Sequence, residues 1–358
     1  MKRNLVLLLV LLLSLPLFYA CPVLDYPKRS FPEGYFPDTV VNLEIVNSEY
    51  DDINMDLMML FSTNFIIFSS NRYSQGNQYD VVGQPLSFSW DQTDGHLFVQ
   101  DDVYTTNSLF LYLMQKIRTT DADEYGPYAF SYGDSCYLFL ASNEKGTNNM
   151  MFYRYPDPNN AYFYPSYDSL IDGPFSIPFL SNQDFNEAYV SFQTNVMPYD
   201  QLNRIFDDDE FTSLLFCNDS LGQYDIYSIA LSQNLNLSSF LTDSQAVNKV
   251  YLTEVNSSSN DRCPNVCGNF MVFSSDRLGG LGGYDFYYSI CEDGEWSEPQ
   301  NFGAPINSVY DEYRAVAIKS YQYENDLLVF SSNRPGGMGG FDIYYTGINV
   351  MPNDNMAY

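Results

Sequence analysis

The chain is poor in basic residues: 16 Lys and Arg stand against 45 Asp and Glu among 358 residues, and the formal net charge is −29. Such a chain repels nucleic acid and anionic lipid, so neither is expected as a partner. An acidic surface favours basic proteins and divalent cations, although good solvation is the simpler interpretation of the charge.

Histidine is also scarce, since His96 is the one histidine of the chain, in a segment with the pattern of a turn followed by a strand. One imidazole is too few for a histidine zinc site, and a turn position does not favour a Ser-His-Asp arrangement. The acids at 207–210 lack the spaced ligands of a calcium loop, so we predict no metal and no cofactor. A glycosidase needs two carboxylates at a suitable separation in space, which the sequence does not reveal.

No long segment has the periodicity of an amphipathic helix. The composition favours strands instead, with 32 Tyr and 27 Phe in short runs between clusters of turn residues. We therefore predict an all-β fold.

A long apolar run follows Lys2 and Arg3 at the start of the chain, and residues 1–20 are typical of a secretory signal rather than a membrane span. The small residue Ala20 directly before Cys21 resembles the lipobox of bacterial lipoproteins. Cys21 is therefore predicted to carry the lipid, and a soluble secreted protein is the alternative. Residues 21–34 are predicted to be a tether.

One hairpin pattern recurs through the chain. The sequence FSSNRPGGMGGFDIYY at 330–345 is matched closely at 273–288 and 68–82, and more weakly at 138–155 and 214–229. Each copy has two strand-like runs around a polar or glycine-containing loop, which indicates a β-hairpin. Five related hairpins indicate a repeat architecture.

In three copies an arginine and an aspartate stand eight residues apart, one at each end of the loop: Arg72 and Asp80, Arg277 and Asp285, Arg334 and Asp342. We predict that each pair bonds across its loop and fixes the hairpin, and ligand binding is the alternative.

A second element precedes the hairpins. The sequence NSVYDE at 307–312 matches 47–52 and 182–187, and more loosely 119–124, and each match ends in an acid. The fourth unit departs from this pattern, with Val247 where the acid is expected. Each unit is therefore predicted to form four antiparallel strands, which is the structure of a propeller blade.

We predict five blades in a single domain at residues 35–350, with six blades as the alternative and a tail at 351–358. Residues 35–46 are expected to supply the outer strand of the last blade, which would close the ring and leave no open edge.

The patterns FSSNRPGGMGGFDIYY and WSEPQNFGAPINSVYDE resemble the WD40-like β-propeller repeat of the TolB type. That family is common in envelope lipoproteins of Gram-negative bacteria, especially Bacteroidota. The resemblance implies a mostly non-catalytic binding or scaffold module, and some members belong to secretion and gliding machineries.

The acids that open the first strand of a unit are expected near the central channel: Asp52, Glu124, Glu187 and Glu312. They could bind a cation or basic side chains there. The alternative is that each acid bonds backbone amides or an arginine of its own blade, because buried acids are usually paired.

Units three and four have the longest stretches between the acid position and the hairpin, and these are expected to enlarge one edge of the face opposite the hairpins. The predicted partner-binding residues in these stretches are Met197, Tyr199, Arg204, Phe206, Asp207, Asp208, Asp209, Glu210, Asn260 and Arg262.

Five cysteines follow Cys21. Export permits disulfides, and Cys267 with Cys291 is the preferred pair because the two flank one hairpin. Cys263 is the competing partner.

Together these features predict a non-catalytic lipid-anchored protein of the outer membrane, on its periplasmic or cell-surface side, that binds an envelope protein complex. A glycan is the other expected ligand. The alternative function is a glycan-binding or carbohydrate-active propeller enzyme.

Overall fold

A computed structural model describes residues 30–60, 63–101, 108–118, 120–156, 168–194, 205–206 and 210–352. The predictions for the signal at 1–20 and for Cys21 lie outside these residues. No helix in the described part of the chain is long and apolar enough to cross a membrane.

The described residues form an all-β five-bladed propeller, as predicted. Its strands are β1 (Val41–Asn42), β2 (Asp52–Leu60), β3 (Thr63–Ser70), β4 (Asp80–Pro85), β5 (Ser87–Asp91), β6 (His96–Gln100), β7 (Glu124–Tyr132), β8 (Ser135–Ser142), β9 (Asn149–Pro156), β10 (Asp172–Ser176), β11 (Glu187–Thr194), β12 (Ile205–Phe206), β13 (Phe211–Asn218), β14 (Asp225–Ala230), β15 (Val250–Tyr251), β16 (Asp261–Cys267), β17 (Phe270–Ser275), β18 (Asp285–Glu292), β19 (Glu295–Trp296), β20 (Gln300–Asn301), β21 (Glu312–Ile318), β22 (Asp326–Ser332) and β23 (Asp342–Ile348). The described residues also include two α-helices, α1 (Ser108–Ile117) and α2 (Leu237–Thr242).

Each blade is an antiparallel sheet whose first strand borders the central channel. The blades, from the inside outward, are β2-β3-β4, then β7-β8-β9-β10, β11-β13-β14-β15, β16-β17-β18-β19 and β21-β22-β23-β1. In addition, β5 and β6 form a separate hairpin, β20 pairs with β18, and β12 runs parallel to β7 at the inner edge of blade two.

The N-terminal strand β1 pairs with β23 in the fifth blade. Val41 lies opposite Tyr345 and Asn42 opposite Tyr344. Further along, the backbone N–H of Leu43 donates to the carbonyl of Ile343 at 2.9 Å.

Apolar side chains of neighbouring blades pack into the core between the sheets. Phe130 of blade two, for example, lies 5.0 Å from Phe192 and 5.3 Å from Phe211 of blade three, measured between ring centroids. The alternation of side chains along each strand directs one set of residues into each interblade layer.

A repeated polar contact joins every blade to the one before it. The residue just before the first strand accepts a hydrogen bond from the backbone N–H just before the third strand of the preceding blade: Asp51 from Phe341, Asp123 from Tyr79, Asn186 from Asn148, Asn260 from Tyr224 and Asp311 from Tyr284, at 2.9–3.0 Å. We call these five contacts the interblade clamp. The same contact joins blade five to blade one, so it runs around the whole ring.

Within each blade the clamp residue is held by a reciprocal side-chain pair of one Asp and one Asn. Blades one, two and five use Asp51 with Asn71, Asp123 with Asn143 and Asp311 with Asn333, whereas blades three and four reverse the order, with Asn186 and Asp219 and with Asn260 and Asp276. In both arrangements the amide donates to the carboxylate, so the pair needs one residue of each kind.

The first strand of each blade contains a β-bulge. Its third residue has a positive φ in all five blades: Asn54 (58°), Gly126 (55°), Tyr189 (60°), Cys263 (56°) and Arg314 (46°). The strand register shifts directly after this residue. A bulge re-aims the side chains next to it.

The predicted disulfide between Cys267 and Cys291 is not formed in the described part of the chain. Cys267 pairs with Phe270 on β17, and Phe270 pairs with Ile290 on β18. The two cysteines therefore lie on strands separated by β17, roughly 9–10 Å apart, which exceeds the roughly 7 Å that a disulfide spans. Cys263, the competing partner, is buried on β16 with Cys267.

The reciprocal pair gives a direct test of the clamp. Asn260→Asp should lower the free energy of unfolding by about 1–3 kcal/mol, because two carboxylates then face each other at the clamp of blade four. The double variant N260D/D276N recreates the order of blades one, two and five and should recover most of the lost stability. Urea denaturation measures both.

A double variant no more stable than the less stable of the two single variants would show that the pair does not act as a unit. Asp243→Asn, at an exposed position after α2, is the control for loss of one acid.

Candidate functional site at the channel mouth

The channel mouth on the hairpin side is formed by the beginnings of the five first strands. Ile53, Tyr125, Arg262 and Tyr313 are each the second residue of their strand, and Tyr189 is the third residue of β11. All five line one cavity of about 400 Å³. A volume of this size lies within the range of small-molecule sites.

A second ring of residues completes the wall of the cavity. Tyr79, Asn148, Tyr284 and Phe341 each precede the third strand of a blade and line the cavity together with Asn54 and Asp311. The backbone N–H groups of Tyr79, Asn148, Tyr284 and Phe341 are donors of the interblade clamp. The contact that joins the blades therefore also holds these side chains in place.

The lining combines aromatic rings with a few polar groups. Six of its residues are aromatic, Tyr79, Tyr125, Tyr189, Tyr284, Tyr313 and Phe341. Among the polar groups, the Oδ1 and Nδ2 atoms of Asn54 are buried without a hydrogen-bond partner in the described structure. Such groups are available to a ligand.

Arg262 brings a positive charge to this mouth. Its guanidinium carbon lies 4.0 Å from the ring centroid of Tyr224 and 5.0 Å from that of Tyr313. Its Nε is buried and has no hydrogen-bond partner.

The phenols at the mouth are neutral at physiological pH. Burial raises the pKa of Tyr224 to about 12, and it also raises the pKa of Tyr189, Tyr284 and Tyr313 above the usual value. Their hydroxyls can therefore donate hydrogen bonds, and none of them neutralises Arg262.

The four predicted channel acids are not among the residues that line the cavity. Asp52, Glu124, Glu187 and Glu312 are each the first residue of a strand, at most 1% exposed, while the second residue lines the channel. Successive side chains of a strand point to opposite sides. The acids therefore face their own blade: Asp52 and Glu312 pair with an arginine there, Glu187 pairs with Lys249, and Glu124 accepts a hydrogen bond from the hydroxyl of Thr120.

The hairpin arginines bind these acids and not the hairpin aspartates. Arg72 pairs with Asp52 at 2.6 Å, and Arg334 pairs with Glu312 at 2.9 Å. In blade four Arg277 pairs at 2.5 Å with Asp261, an acid that sequence reasoning missed. The predicted bonds from Arg72 to Asp80, from Arg277 to Asp285 and from Arg334 to Asp342 are thus replaced by bonds to the first strand.

Two of the hairpin aspartates instead bind the loop between the two strands. Asp285 accepts the backbone N–H groups of Leu281 and Gly282, and Asp342 accepts those of Met338 and Gly339. The glycine-rich loop leaves these N–H groups without a strand partner, and the aspartate satisfies them.

Most predicted partner-binding residues, Met197, Tyr199, Arg204, Asp207, Asp208 and Asp209, lie outside the described residues. Phe206 is buried against Phe130 and Phe211, and Glu210 is half-buried before β13. The placement of the other two candidates on the face opposite the hairpins was wrong. Asn260 belongs to the clamp and Arg262 to the channel mouth, because residues 256–261 are the acid element of blade four.

A second cavity of about 650 Å³ opens between the ends of β11, β13 and β16. Its lining includes Gln193, Ser228, Asn269 and Trp296. It contains no charged side chain among its lining residues, and it offers a comparison site for experiments on the channel mouth.

No protein-family model matches the chain, and no curated protein matches it. Among solved structures, the chain is similar to a thermostable family-43 glycoside hydrolase, with a TM-score of 0.49 and 13% identity over 88% of this chain and 93% of that one. It is also similar to α-L-arabinofuranosidases from Podospora anserina (0.48, 11%, 89% and 97%) and Lactobacillus brevis (0.48, 10%, 86% and 93%).

These comparisons correct the main functional prediction. The resemblance to envelope repeats led us to expect a propeller that is not an enzyme and that binds an envelope protein complex. The similar solved structures are glycoside hydrolases, which contradicts that prediction. The β-propeller part of the resemblance is confirmed.

Glu124 differs from the other first-strand acids because it lacks a cation. Glu144 stands where three of the other hairpins have arginine, and in blade three, which has Ser220 at this position, Lys249 pairs with Glu187 at 2.6 Å. The Oε2 atom of Glu124 is buried without a hydrogen-bond partner. Burial raises its pKa to about 8.

This pKa predicts a pH-dependent stability. The neutral form of Glu124 is favoured in the folded state, so its stabilising effect is complete below pH 4.5 and is lost as the pH rises through about 8. Glu124→Gln should match the wild type near pH 4 and exceed it at pH 9 by a few kcal/mol, on the order set by the shift. Thermal unfolding across this pH range measures the difference.

Glu312→Gln is the matched control at an acid that has a cationic partner, and it should destabilise the protein near neutral pH, because it removes the partner of Arg334. A constant difference between wild type and Glu124→Gln from pH 4 to 9 would contradict the raised pKa.

Proposed function

We propose that this protein is a carbohydrate-active propeller whose glycan binds at the channel mouth. The observation that carries the proposal is the cavity itself, in which six aromatic rings surround Arg262, Asn148, Asn54 and Asp311. Aromatic rings offer flat apolar surfaces with polar tips, and converging polar groups fix orientation. A sugar ring presents the complementary combination of C–H faces and hydroxyl groups.

The rigidity of the mouth supports this function. Tyr79 and Tyr284 lie in the aromatic ring of the cavity, and their backbone N–H groups are bound by Asp123 and Asp311. Little conformational entropy of these residues is therefore lost when a ligand binds, which favours affinity.

Two carboxylates are the candidates for chemistry on a bound glycan. Asp311 lines the cavity, and Asp51 of the next blade accepts a hydrogen bond from the hydroxyl of Tyr79 at 2.7 Å. Glycoside hydrolysis uses a carboxyl pair, one as acid and the other as base or nucleophile. Both carboxylates also serve the interblade clamp, so their substitution must be read together with a stability measurement.

The proposal predicts which substitutions weaken glycan binding. We would screen the purified mature chain against arabinan, arabinoxylan, mannan, polygalacturonate and simple 4-nitrophenyl glycosides, and measure both affinity and released sugar. Tyr125→Ala and Tyr284→Ala should each weaken binding about tenfold, since a lost ring contact removes about 0.5–1.5 kcal/mol beyond its buried area.

Trp296→Ala, in the cavity between blades three and four, is the matched control and should leave binding unchanged. Binding that is lost with Trp296→Ala but kept with Tyr125→Ala would place the glycan elsewhere. Absence of binding to every member of the panel would argue against the proposal as a whole.

We also propose that the chain is exported and anchored by lipid on Cys21 in the outer membrane. The support is the signal-like pattern of residues 1–21. Mass spectrometry of the N-terminal peptide should find a diacylglyceryl group on Cys21, and Cys21→Ser should move the protein from the membrane to the soluble fraction. An unmodified Cys21 on a protein of the soluble fraction would contradict the anchor.

A further inference from the structure

Two guanidinium groups at the channel have no ionic partner. Arg262 and Arg314 occupy the second and third positions of neighbouring first strands, β16 and β21. Neither forms an ion pair within the described part of the chain, in contrast to Arg72, Arg277 and Arg334.

Arg314 is the more unusual of the two. It is 0% exposed, and its Nε and Nη1 atoms are buried without hydrogen-bond partners among the described residues. Its Nη2 makes one long contact, 3.4 Å to the carbonyl of Pro127. A buried guanidinium with five donors and a single long contact is costly to the folded state.

Both guanidinium groups contact the same aromatic ring. The guanidinium carbons of Arg262 and Arg314 lie 5.7 Å and 5.5 Å from the centroid of the same ring, that of Tyr189, which lines the mouth. Contact with a ring attracts a cation but leaves its N–H donors free.

The neighbouring thiols and phenols do not neutralise these charges. Burial raises the pKa of Cys217 to about 12, and it raises the pKa of Cys263 and Tyr313 as well, so all three stay neutral. Arg262 is the one cationic residue among those that line the cavity, and Asp311, the one acidic residue of the lining, is held in the interblade clamp.

We propose that the glycan bound at the channel mouth is anionic, and that the carboxylate of a uronic acid residue binds the guanidinium of Arg262. This inference rests on the proposed function. Arg314 contributes positive potential from its buried position behind Tyr189. A carboxylate accepts two parallel N–H bonds from a guanidinium, which makes the pair both strong and directional. Exposed acids farther away than the Debye length of about 8 Å at physiological salt are screened, so they do not prevent one uronate from entering the mouth.

The test compares two ligands that differ at one carbon. Methyl β-D-glucuronide and methyl β-D-glucoside would be titrated into the mature chain at constant ionic strength and followed by NMR or calorimetry. The wild type should bind the glucuronide about 10–100-fold more tightly, as expected for hydrogen bonds to a charged group. Acetate and N-acetylglutamate supply the same carboxylate without a sugar.

Arg262→Gln should abolish the preference for the glucuronide, and Arg262→Lys should keep part of it. Arg154→Gln is the matched control, because Arg154 pairs with Asp172 on the surface of blade two. Arg314→Met should weaken glucuronide binding and also raise the melting temperature of the free protein, since it removes an unpaired buried charge. A purely structural arginine at 314 would lower the melting temperature when replaced.

The outcomes separate the two proposals. Equal binding of glucoside and glucuronide, or an unchanged preference in Arg262→Gln, would overturn the anionic ligand and leave glycan binding in place. Acetate or N-acetylglutamate binding as tightly as the glucuronide would mean a general anion site, and would overturn the saccharide specificity. Binding of neither sugar would overturn this inference, and binding of no glycan in the wider panel would overturn the proposed function too.

Discussion

The interblade clamp is the contact on which the rest of the structure depends. A single side-chain oxygen before each first strand accepts the backbone N–H that starts the third strand of the preceding blade. Backbone bonds such as Asp52 to Phe341, at 2.8 Å, lie directly beside it. These junctions are buried or half-buried, and an unpaired N–H there would be costly. The clamp therefore fixes the relation of all five sheets with one repeated pair of residue types.

The clamp also determines what the channel mouth can do. Four of the five residues whose N–H groups it holds line the cavity, namely Tyr79, Asn148, Tyr284 and Phe341. The bulge in each first strand re-aims the side chains next to it. Architecture and candidate site thus share the same residues. The two kinds of arginine illustrate the division: Arg72, Arg277 and Arg334 are satisfied by acids of their own blade, whereas Arg262 and Arg314 keep unpaired donors. Groups that lower stability in this way are typical of functional positions.

Much of the fold was predictable because it is local and repeated. Strand patterns, loop glycines and unit spacing are set by neighbouring residues, so the five blades follow from the five hairpin copies. Two further signals were present in the sequence and were missed. An aromatic residue precedes the hairpin aspartate in four copies, at Tyr79, Tyr224, Tyr284 and Phe341, and three of these line the mouth. The exchange of Asp and Asn between the two clamp positions is also visible when the five copies are aligned.

What could not be predicted depends on pairing in three dimensions. The spacing of eight residues favoured a bond between Arg72 and Asp80, but the sheet places Arg72 beside Asp52, twenty residues upstream. The segment around α2 separates β14 from β15, which obscured the acid element of blade four and led to the wrong placement of Arg262. Cys267 and Cys291 flank one hairpin in sequence, yet a strand separates them. Positive φ at Arg314 or Tyr189 has no sequence signal, because such residues rarely adopt it.

The measurement that tests the central claim most directly is a crystal structure of the mature chain with the saccharide that binds most tightly. The account predicts a sugar ring in the channel mouth, in contact with Tyr125 and Tyr313 and within hydrogen-bond distance of Arg262. A sugar bound beside Trp296 in the cavity between blades three and four, with the channel mouth unchanged, would contradict it.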